Sequence, residues 1–465
     1  MSRTVDVVVV GGGPAGENVA ARAVRGGLSV ALVEHERYGG ECSYWACMPS
    51  KALLRPVDVA GAARRLPGVP TGPLDAAAVL ARRDAFVHGF DDSSQERWVT
   101  DTGIEAVRGH GRLSGEREVT VTAPDGADEV LTARHAVVLA TGTQAVVPDV
   151  PGLRDARPWT SREVTAMAAV PRRLLVVGGG VVACEMAQAV AGLGAEQVVQ
   201  LVKGDRLLER MEPWAGELVA EGLRETGVDV RFGTSAASFR RDAAGVTAVL
   251  QDGTERTADE VLVATGRRPS TGDLGLDAVG LEPGRPVEVD DSMRSTTVPW
   301  LYAAGDVNGR ALLTHMGKYQ ARVCGDVVVA RATGAPDDGP SLRATGPVPQ
   351  VVFTDPQAAS VGPTEQEARD AGRDVRTVAV DLAGVAGASL LADDYRGRAS
   401  LLLEGDGDGA VVVGATLVGQ DVAELLHSAT VAVTAQLPLH VLWHAVPSYP
   451  TVSEAWLRLL EAAGL

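Results

Sequence analysis

The chain has 465 residues with 43 Lys and Arg against 60 Asp and Glu, a formal net charge of −17 and 4 cysteines. A chain this long divides into two to four domains and buries a core without disulfide staples. An acidic balance with no basic run speaks against nucleic acid as a partner, and no apolar stretch approaches membrane-spanning length, which speaks against membrane insertion.

The N-terminus, Met1-Ser2-Arg3-Thr4-Val5-Asp6, runs straight into a strand pattern without a signal peptide. Few cysteines fit a reducing compartment, so a cytoplasmic location is expected, and any disulfide would be catalytic.

Val5 to Val10 reads as a buried parallel strand entering the G-x-G-x-x-G turn Gly11-Gly12-Gly13-Pro14-Ala15-Gly16. An alanine-rich helix follows, then a strand Leu28 to Val33 ending at Glu34. Glycines let backbone approach a pyrophosphate, the helix N-terminus favours its charge, and the acid accepts from ribose hydroxyls.

Next comes Gly40-Glu41-Cys42-Ser43-Tyr44-Trp45-Ala46-Cys47-Met48-Pro49-Ser50-Lys51. Two of the four cysteines share this window. A helical turn is expected to bring both sulfurs to bonding distance, and a helix N-terminus stabilises a thiolate. Tyr44 and Trp45 are either packing against the nucleotide fold or an aromatic platform for a flat acceptor. Arginine is abundant, yet Lys51, Lys203 and Lys318 are the only lysines. A compact ammonium is therefore wanted at these places, Lys51 above all because it closes the cysteine motif.

The nucleotide unit recurs. Leu174 to Val177 leads into Gly178-Gly179-Gly180-Val181-Val182-Ala183, then Glu185 and a helix, then a strand Val198 to Val202. Lys203, not an acid, ends that strand. A cation suits the 2′-phosphate of NADPH, which is favoured over NADH, with Arg206 and Arg210 assisting and Glu209 opposing.

Two such units imply two dinucleotides, most economically FAD and a nicotinamide cofactor. The segments Val137 to Thr143 and Val261 to Pro269 read as paired chain crossings between domains. Leu301 to Asp306 is a strand ending in an acid able to accept from a flavin's ribityl or phosphate region. A helix is expected to begin near Thr314 and His315, its positive end toward a reduced flavin ring.

Taken together, these residues resemble the pyridine nucleotide-disulfide oxidoreductases, the dihydrolipoamide dehydrogenase, glutathione reductase and mercuric reductase group. The resemblance covers nearly the whole chain and includes Val348 to Gln357, similar to the entry of the family's dimerisation domain. It implies an α/β chain with two Rossmann-like dinucleotide-binding domains plus a C-terminal α+β dimerisation domain. FAD would bind residues 1–150 and 270–345, NAD(P)H residues 151–269, and residues 346–465 would form the interface of a homodimer whose sites borrow C-terminal residues from the partner.

By the same resemblance, Cys47 faces the flavin and Cys42 exchanges with substrate, while Lys51 and Glu185 pair beside the flavin. Gly111, Thr141, Gly142, Asp306 and Thr314 line the FAD site with Gly11, Gly13, Pro14, Ala15, Gly16 and Glu34. Gly178, Gly180, Ala183 and Gly266 lie on the nicotinamide side. The implied activity carries electrons from NAD(P)H through FAD to the Cys42–Cys47 pair and on to a small-molecule or protein disulfide, or another thiol-reactive acceptor.

The pattern breaks at the C-terminus. Similar enzymes read His-Pro-Thr-x-Ser-Glu, whereas here Tyr449 precedes Pro450-Thr451-Val452-Ser453-Glu454. Tyrosine, with an ordinary pKa of about 10 against about 6.5 for histidine, donates a proton but is a poor base. The sequence therefore leans toward reductase work and away from dihydrolipoamide oxidation. His444 and His440 are surrogate candidates. With no cysteine after Cys324, Hg(II) reduction is unsupported. A diaphorase passing electrons from flavin directly to quinones is the first rival, and a redox-sensing binding protein the second.

Overall fold

The structure is a computed structural model and describes residues 2–465. The chain falls into two compact units. The first contains residues 1–48, 84–146 and 267–345, and the second residues 49–83, 147–266 and 346–465.

In the first unit, a parallel sheet runs in the order Glu105–Arg108, Val30–Glu34, Ser2–Val10, Asp128–Leu139, Leu301–Ala303. Val7 and Val9 pack with Val19, Ala20, Ala23 and Cys324, while Val8 and Val10 pack with Ala31, Val33, Leu113 and Leu131. Alternate side chains of one strand thus enter two cores. A strand buried on both faces must read as a continuous apolar run, which is how it was legible. Two antiparallel strands, His110–Gly115 and Glu118–Thr122, extend the first half of Asp128–Leu139.

In the second unit, Val228–Arg231, Gln197–Leu201, Arg173–Val177 and Glu260–Val263 form the second parallel sheet in that order. An antiparallel meander, Ala236–Asp242, Gly245–Leu250 and Glu255–Ala258, packs its Phe239, Val246 and Ala248 with Leu175, Val199 and Val261. The C-terminal part is an antiparallel sheet ordered Gln350–Val352, Gln357–Val361, Val411–Gly419, Arg398–Glu404, Val375–Asp381. Helices Val422–Thr434 and Ala455–Ala463 cover it through Leu426, Ala429, Leu459 and Leu460.

The expected chain crossings are paired. Thr143–Ala145 and Arg267–Pro269 run antiparallel in the register Arg267 to Ala145, Arg268 to Gln144 and Pro269 to Thr143. They stand where the chain leaves the first unit after Val146 and returns at Arg267.

Helix Cys47–Arg64 carries the chain from the first unit to the second and contains Pro56 in its interior. Proline has no N–H to give the carbonyl four residues back. That carbonyl, on Ala52, instead accepts from Arg82 Nη1 at 3.0 Å.

Candidate active site

The first glycine turn is closed by contact. Gly11 has φ +106°, and a Cβ on Gly16 would lie 1.9 Å from the Gly11 carbonyl oxygen. Only glycine permits this approach of turn and helix. Helix Pro14–Arg25 starts there with proline in its first turn and no side-chain cap at Gly13. A Cβ on Gly13 would meet only Gly40 Cα, at 3.9 Å. The helix end therefore keeps open donors suited to a pyrophosphate.

Glu34 is buried at the strand end, its Oε2 accepting from Gly12 N at 2.7 Å and its Oε1 from Glu36 N at 2.6 Å. Burial alone would raise this carboxyl, but hydrogen bonds from His35 and the Glu36 and Gly12 amides outweigh it and hold it below the ordinary value. Asp306 is pushed up by burial, partly offset by the Thr143 hydroxyl 2.9 Å away and by Arg267. Thr141 donates to the Ser270 carbonyl at 3.1 Å, and Gly142, at φ +68°, has open space where a Cβ would be. Gly111 lies within strand His110–Gly115, where a Cβ would stand 3.1 Å from the Val10 and Val33 methyls.

The two thiols meet. The Cys42 thiol is hydrogen-bonded to Cys47, and Cys47 Sγ lies 3.2 Å from Thr314 Oγ1. The expected single helical turn is replaced by two helices. Cys42 sits in Gly40–Tyr44, Cys47 begins Cys47–Arg64, and Trp45 between them leaves helical geometry at φ −135°. Trp45 is only 7% exposed and stacks under Arg37 at 5.0 Å, so packing draws the backbone out of the helix. Tyr44 is 2% exposed. Of the two readings left open for Tyr44 and Trp45, burial of both rings favours packing.

Cys47 holds the positive end of its helix, and the expected helix Thr314–Thr333 begins at its sulfur. Both features favour negative charge on Cys47. Cys42 is shifted the other way, its thiol held neutral by the hydrogen bond to Cys47 and by burial, opposed by Thr314 and Lys318.

In the second unit, Lys51 Nζ lies 2.8 Å from Glu185 Oε2. Glu185 is buried and its Oε1 accepts from Phe353 N at 3.0 Å. Lys51 also stands 4.9 Å over the Phe353 ring. Phe353 had no place in the sequence-derived site, because its contribution is a backbone amide.

At the second glycine turn, Gly178 has φ +136°, Gly180 begins helix Val181–Gly192 without a side-chain cap, and nothing lies within 4 Å of a Gly180 Cβ. Ala183 is buried in that helix. Lys203 is exposed just beyond strand Gln197–Leu201, and its loop is tied to the glycine turn by Leu208 N to Gly179 O at 2.9 Å. Gly266 has φ +137° and open space at its Cβ position. Both turns thus fit the pyrophosphate of a dinucleotide, the first with the buried Glu34 at the end of its second strand.

Tyr449 and Glu454 are not brought together. Tyr449 is 76% exposed, and its hydroxyl makes no hydrogen bond among the described residues. Glu454 is buried, with Oε1 accepting from Arg458 at 2.8 Å and Oε2 unpartnered. His440 Nδ1 lies 3.1 Å from the Asp408 carbonyl, and His444 is exposed.

A fold with two dinucleotide turns and a juxtaposed thiol pair defines a two-cofactor thiol redox enzyme. Residues 5–334 match the family model of the pyridine nucleotide-disulphide oxidoreductases, and residues 348–460 that of their dimerisation domain. The chain is 34% identical to mercuric reductase of Shigella flexneri over 97% of this chain and 80% of that one. It is 33% identical to dihydrolipoyl dehydrogenase of Halobacterium salinarum over 100% of this chain and 97% of that one. The crystal structure of LpdA from Mycobacterium tuberculosis superposes with a TM-score of 0.83 at 26% identity, covering 98% of both chains.

The chain belongs to the pyridine nucleotide-disulphide oxidoreductase family. It is a flavoprotein oxidoreductase of the FAD-dependent, NAD(P)H-using kind, with a redox-active disulfide and a dimerisation domain. Among the described residues, no helix is long and apolar enough to cross a membrane.

Proposed function

We propose that this enzyme is a cytoplasmic homodimeric NADPH:disulfide reductase in which Cys42 is the exchange thiol and Cys47 the flavin-side thiol. The observation that carries the reading is the Cys42–Cys47 hydrogen bond at a helix start, with Thr314 at the Cys47 sulfur. Bound FAD supplies the two-electron link between the nicotinamide and the cysteine pair.

The chain's own residues divide the remaining work. The Gly13 and Gly180 helix ends orient the pyrophosphates, and Glu34 and Asp306 hold hydroxyls along the first dinucleotide. Glu185 fixes Lys51 so that its ammonium faces one direction. Thr314 and the helix end hold charge on Cys47. Cys42 then attacks one sulfur of a disulfide acceptor, forming a mixed disulfide and releasing the other sulfur as a thiolate. Cys47 resolves that mixed disulfide, releases the second thiol and re-forms the internal Cys42–Cys47 bond.

Lys203 selects NADPH, supported by Arg206, whose buried Nε has no hydrogen-bond partner among the described residues. Residues 1–150 with 270–345, 151–269 and 346–465 form the FAD, NADPH and dimer domains. Tyr449 stands where similar enzymes carry histidine, and a tyrosine, a poor base, favours reduction of an acceptor over oxidation of a dithiol.

An anaerobic titration with NADPH, and separately NADH, tests the reading. A long-wavelength thiolate-to-flavin band, with two electrons taken up before the flavin bleaches, is expected. Bleaching without that band overturns it. The tyrosine at position 449 in place of histidine favours a second reading, direct transfer from flavin to a quinone. That reading requires Cys42→Ser to keep quinone reduction near the full rate while no disulfide substrate turns over.

A further inference from the structure

Lys51 is held from two sides in the second unit. Helix Val181–Gly192 offers two buried acceptors one turn apart, Glu185 and Gln188. Glu185 Oε1 accepts from Phe353 N at 3.0 Å, and Gln188 Oε1 accepts from Asp355 N at 2.7 Å. The Asp355 carboxylate takes Arg65 Nη1 at 2.7 Å, just beyond the end of helix Cys47–Arg64. Thr354 donates to the Pro356 carbonyl at 2.7 Å. Residues 353–355 are therefore clamped through backbone and flanking side chains, and the chain itself fixes where Phe353 stands.

That clamp sets the Phe353 ring against Lys51, whose Nζ lies 4.9 Å from the ring centre. The face of an aromatic ring is negative and attracts an ammonium within about 6 Å. Lys51 Nζ also lies 2.8 Å from Glu185 Oε2. One carboxylate thus fixes both parts: one oxygen holds the ammonium, and the other holds the backbone that carries the ring.

Packing alone does not ask for an aromatic here. Phe353 is partly buried against a cluster that includes Leu54 and Val352, which an aliphatic side chain would also meet. Only an aromatic adds a face for a cation. A compact ammonium with three donors suits the space between a carboxylate and a ring.

We propose that Phe353 is a positioning residue for Lys51, its ring holding the ammonium against Glu185 so that the remaining donors keep one direction. The proposal rests on the placement of Lys51 beside the bound flavin. The ring supplies attraction and takes no part in proton or electron transfer.

The test uses the FAD-loaded full chain with isotope-labelled lysine. Pentafluorophenylalanine at position 353 keeps the ring's shape and removes its negative face, while Phe353→Tyr keeps the face. Lys51, Lys203 and Lys318 are the only lysines, so the Lys51 ε-methylene signal is the one lost in Lys51→Gln. In proton NMR that signal is expected upfield of the other two in the unsubstituted protein and in Phe353→Tyr, because it lies over the ring. It is expected to move toward them in the fluorinated protein. Flavin reduction by NADPH in a single turnover is expected to slow about fivefold on fluorination and to stay near the unsubstituted rate in Phe353→Tyr. In a Lys51→Gln background, fluorination is expected to change nothing further.

A Lys51 signal that does not move on fluorination overturns the proposal. Equal slowing in Phe353→Tyr also overturns it, because the ring is then only packing. An unchanged rate on fluorination, with Lys51→Gln slow, overturns the proposal alone. A full rate in Lys51→Gln removes Lys51 from the flavin reaction and the proposal with it.

Discussion

Glu185 holds two partners at once, Lys51 Nζ at 2.8 Å on one oxygen and Phe353 N at 3.0 Å on the other. The acid is 3% exposed, whereas the Lys51 side chain is 37% exposed. Removing either partner is therefore not symmetrical. Lys51→Met strands a buried carboxylate, which costs about 3 kcal/mol in comparable pairs, while Glu185→Gln leaves an ammonium that water can reach. Lys51→Met is expected to lower Tm more than Glu185→Gln, by differential scanning fluorimetry on FAD-loaded protein. The reverse order would mean the pair is not held as described.

Thr314→Val keeps the volume near Cys47 and removes the hydroxyl 3.2 Å from its sulfur. A hydrogen bond to a charged group contributes about 1.5 kcal/mol, equivalent to roughly one pH unit. The long-wavelength band of the two-electron-reduced enzyme should therefore appear at a pH about one unit higher in the variant. An unmoved midpoint would show that Thr314 does not hold the thiolate.

Gly16→Ala places a methyl 1.9 Å from the Gly11 carbonyl oxygen, which only backbone movement can relieve. Such overpacking costs about 1–3 kcal/mol or more and falls on the turn that would grip FAD. The purified variant should carry little flavin, read from the ratio of absorbance at the flavin and protein bands. Full flavin content would show that the turn is looser than the contact implies.

Burial raises the Glu17 carboxyl to about 7, with Gln95 and Lys318 pulling the other way. A folded-state value above the unfolded one stabilises the protein below the unfolded pKa and is lost as pH rises through the folded one. Glu17 therefore costs stability between about pH 4.5 and pH 7, the ordinary and shifted values. Glu17→Gln removes that titration, so its Tm should exceed the parent's above pH 7 and approach it near pH 4.5. Parallel Tm curves across the range would rule out the shift.

Lys203 stands exposed beyond its strand in a loop tethered to the second glycine turn. Lys203→Glu sets a carboxylate where a 2′-phosphate would lie and offers an acceptor to a 2′-hydroxyl. The ratio of kcat/KM for NADPH over NADH should fall by about tenfold or more. An unchanged ratio would move the selectivity to Arg206 or Arg210.

Much of this was legible because it is local. The parallel strands announced themselves as apolar runs, since Val7 to Val10 are buried on alternating faces. The glycine turns, the thiol window and the helix at Thr314 likewise depend on neighbours in sequence. What escaped was carried by contacts between distant residues. Cys47 and Thr314 are 267 positions apart, and Phe353 N reaches Glu185 across 168. The break between the two thiol helices also escaped, because it depends on where Trp45 finds its partner, Arg37. Arg82 at the Ala52 carbonyl answers a need that Pro56 creates, yet nothing near Pro56 signals which donor will come.

Cys184 and Cys324 are each fully buried, and burial pushes both thiols upward, Cys184 to about 12. They are chemically silent in the folded protein. The native chain therefore carries its own calibrated counter: a mild thiol reagent should register two equivalents per chain when the Cys42–Cys47 bond is open and none when it is closed. The oxidation state of the enzyme inside a cell extract becomes a stoichiometry that can be counted without unfolding it.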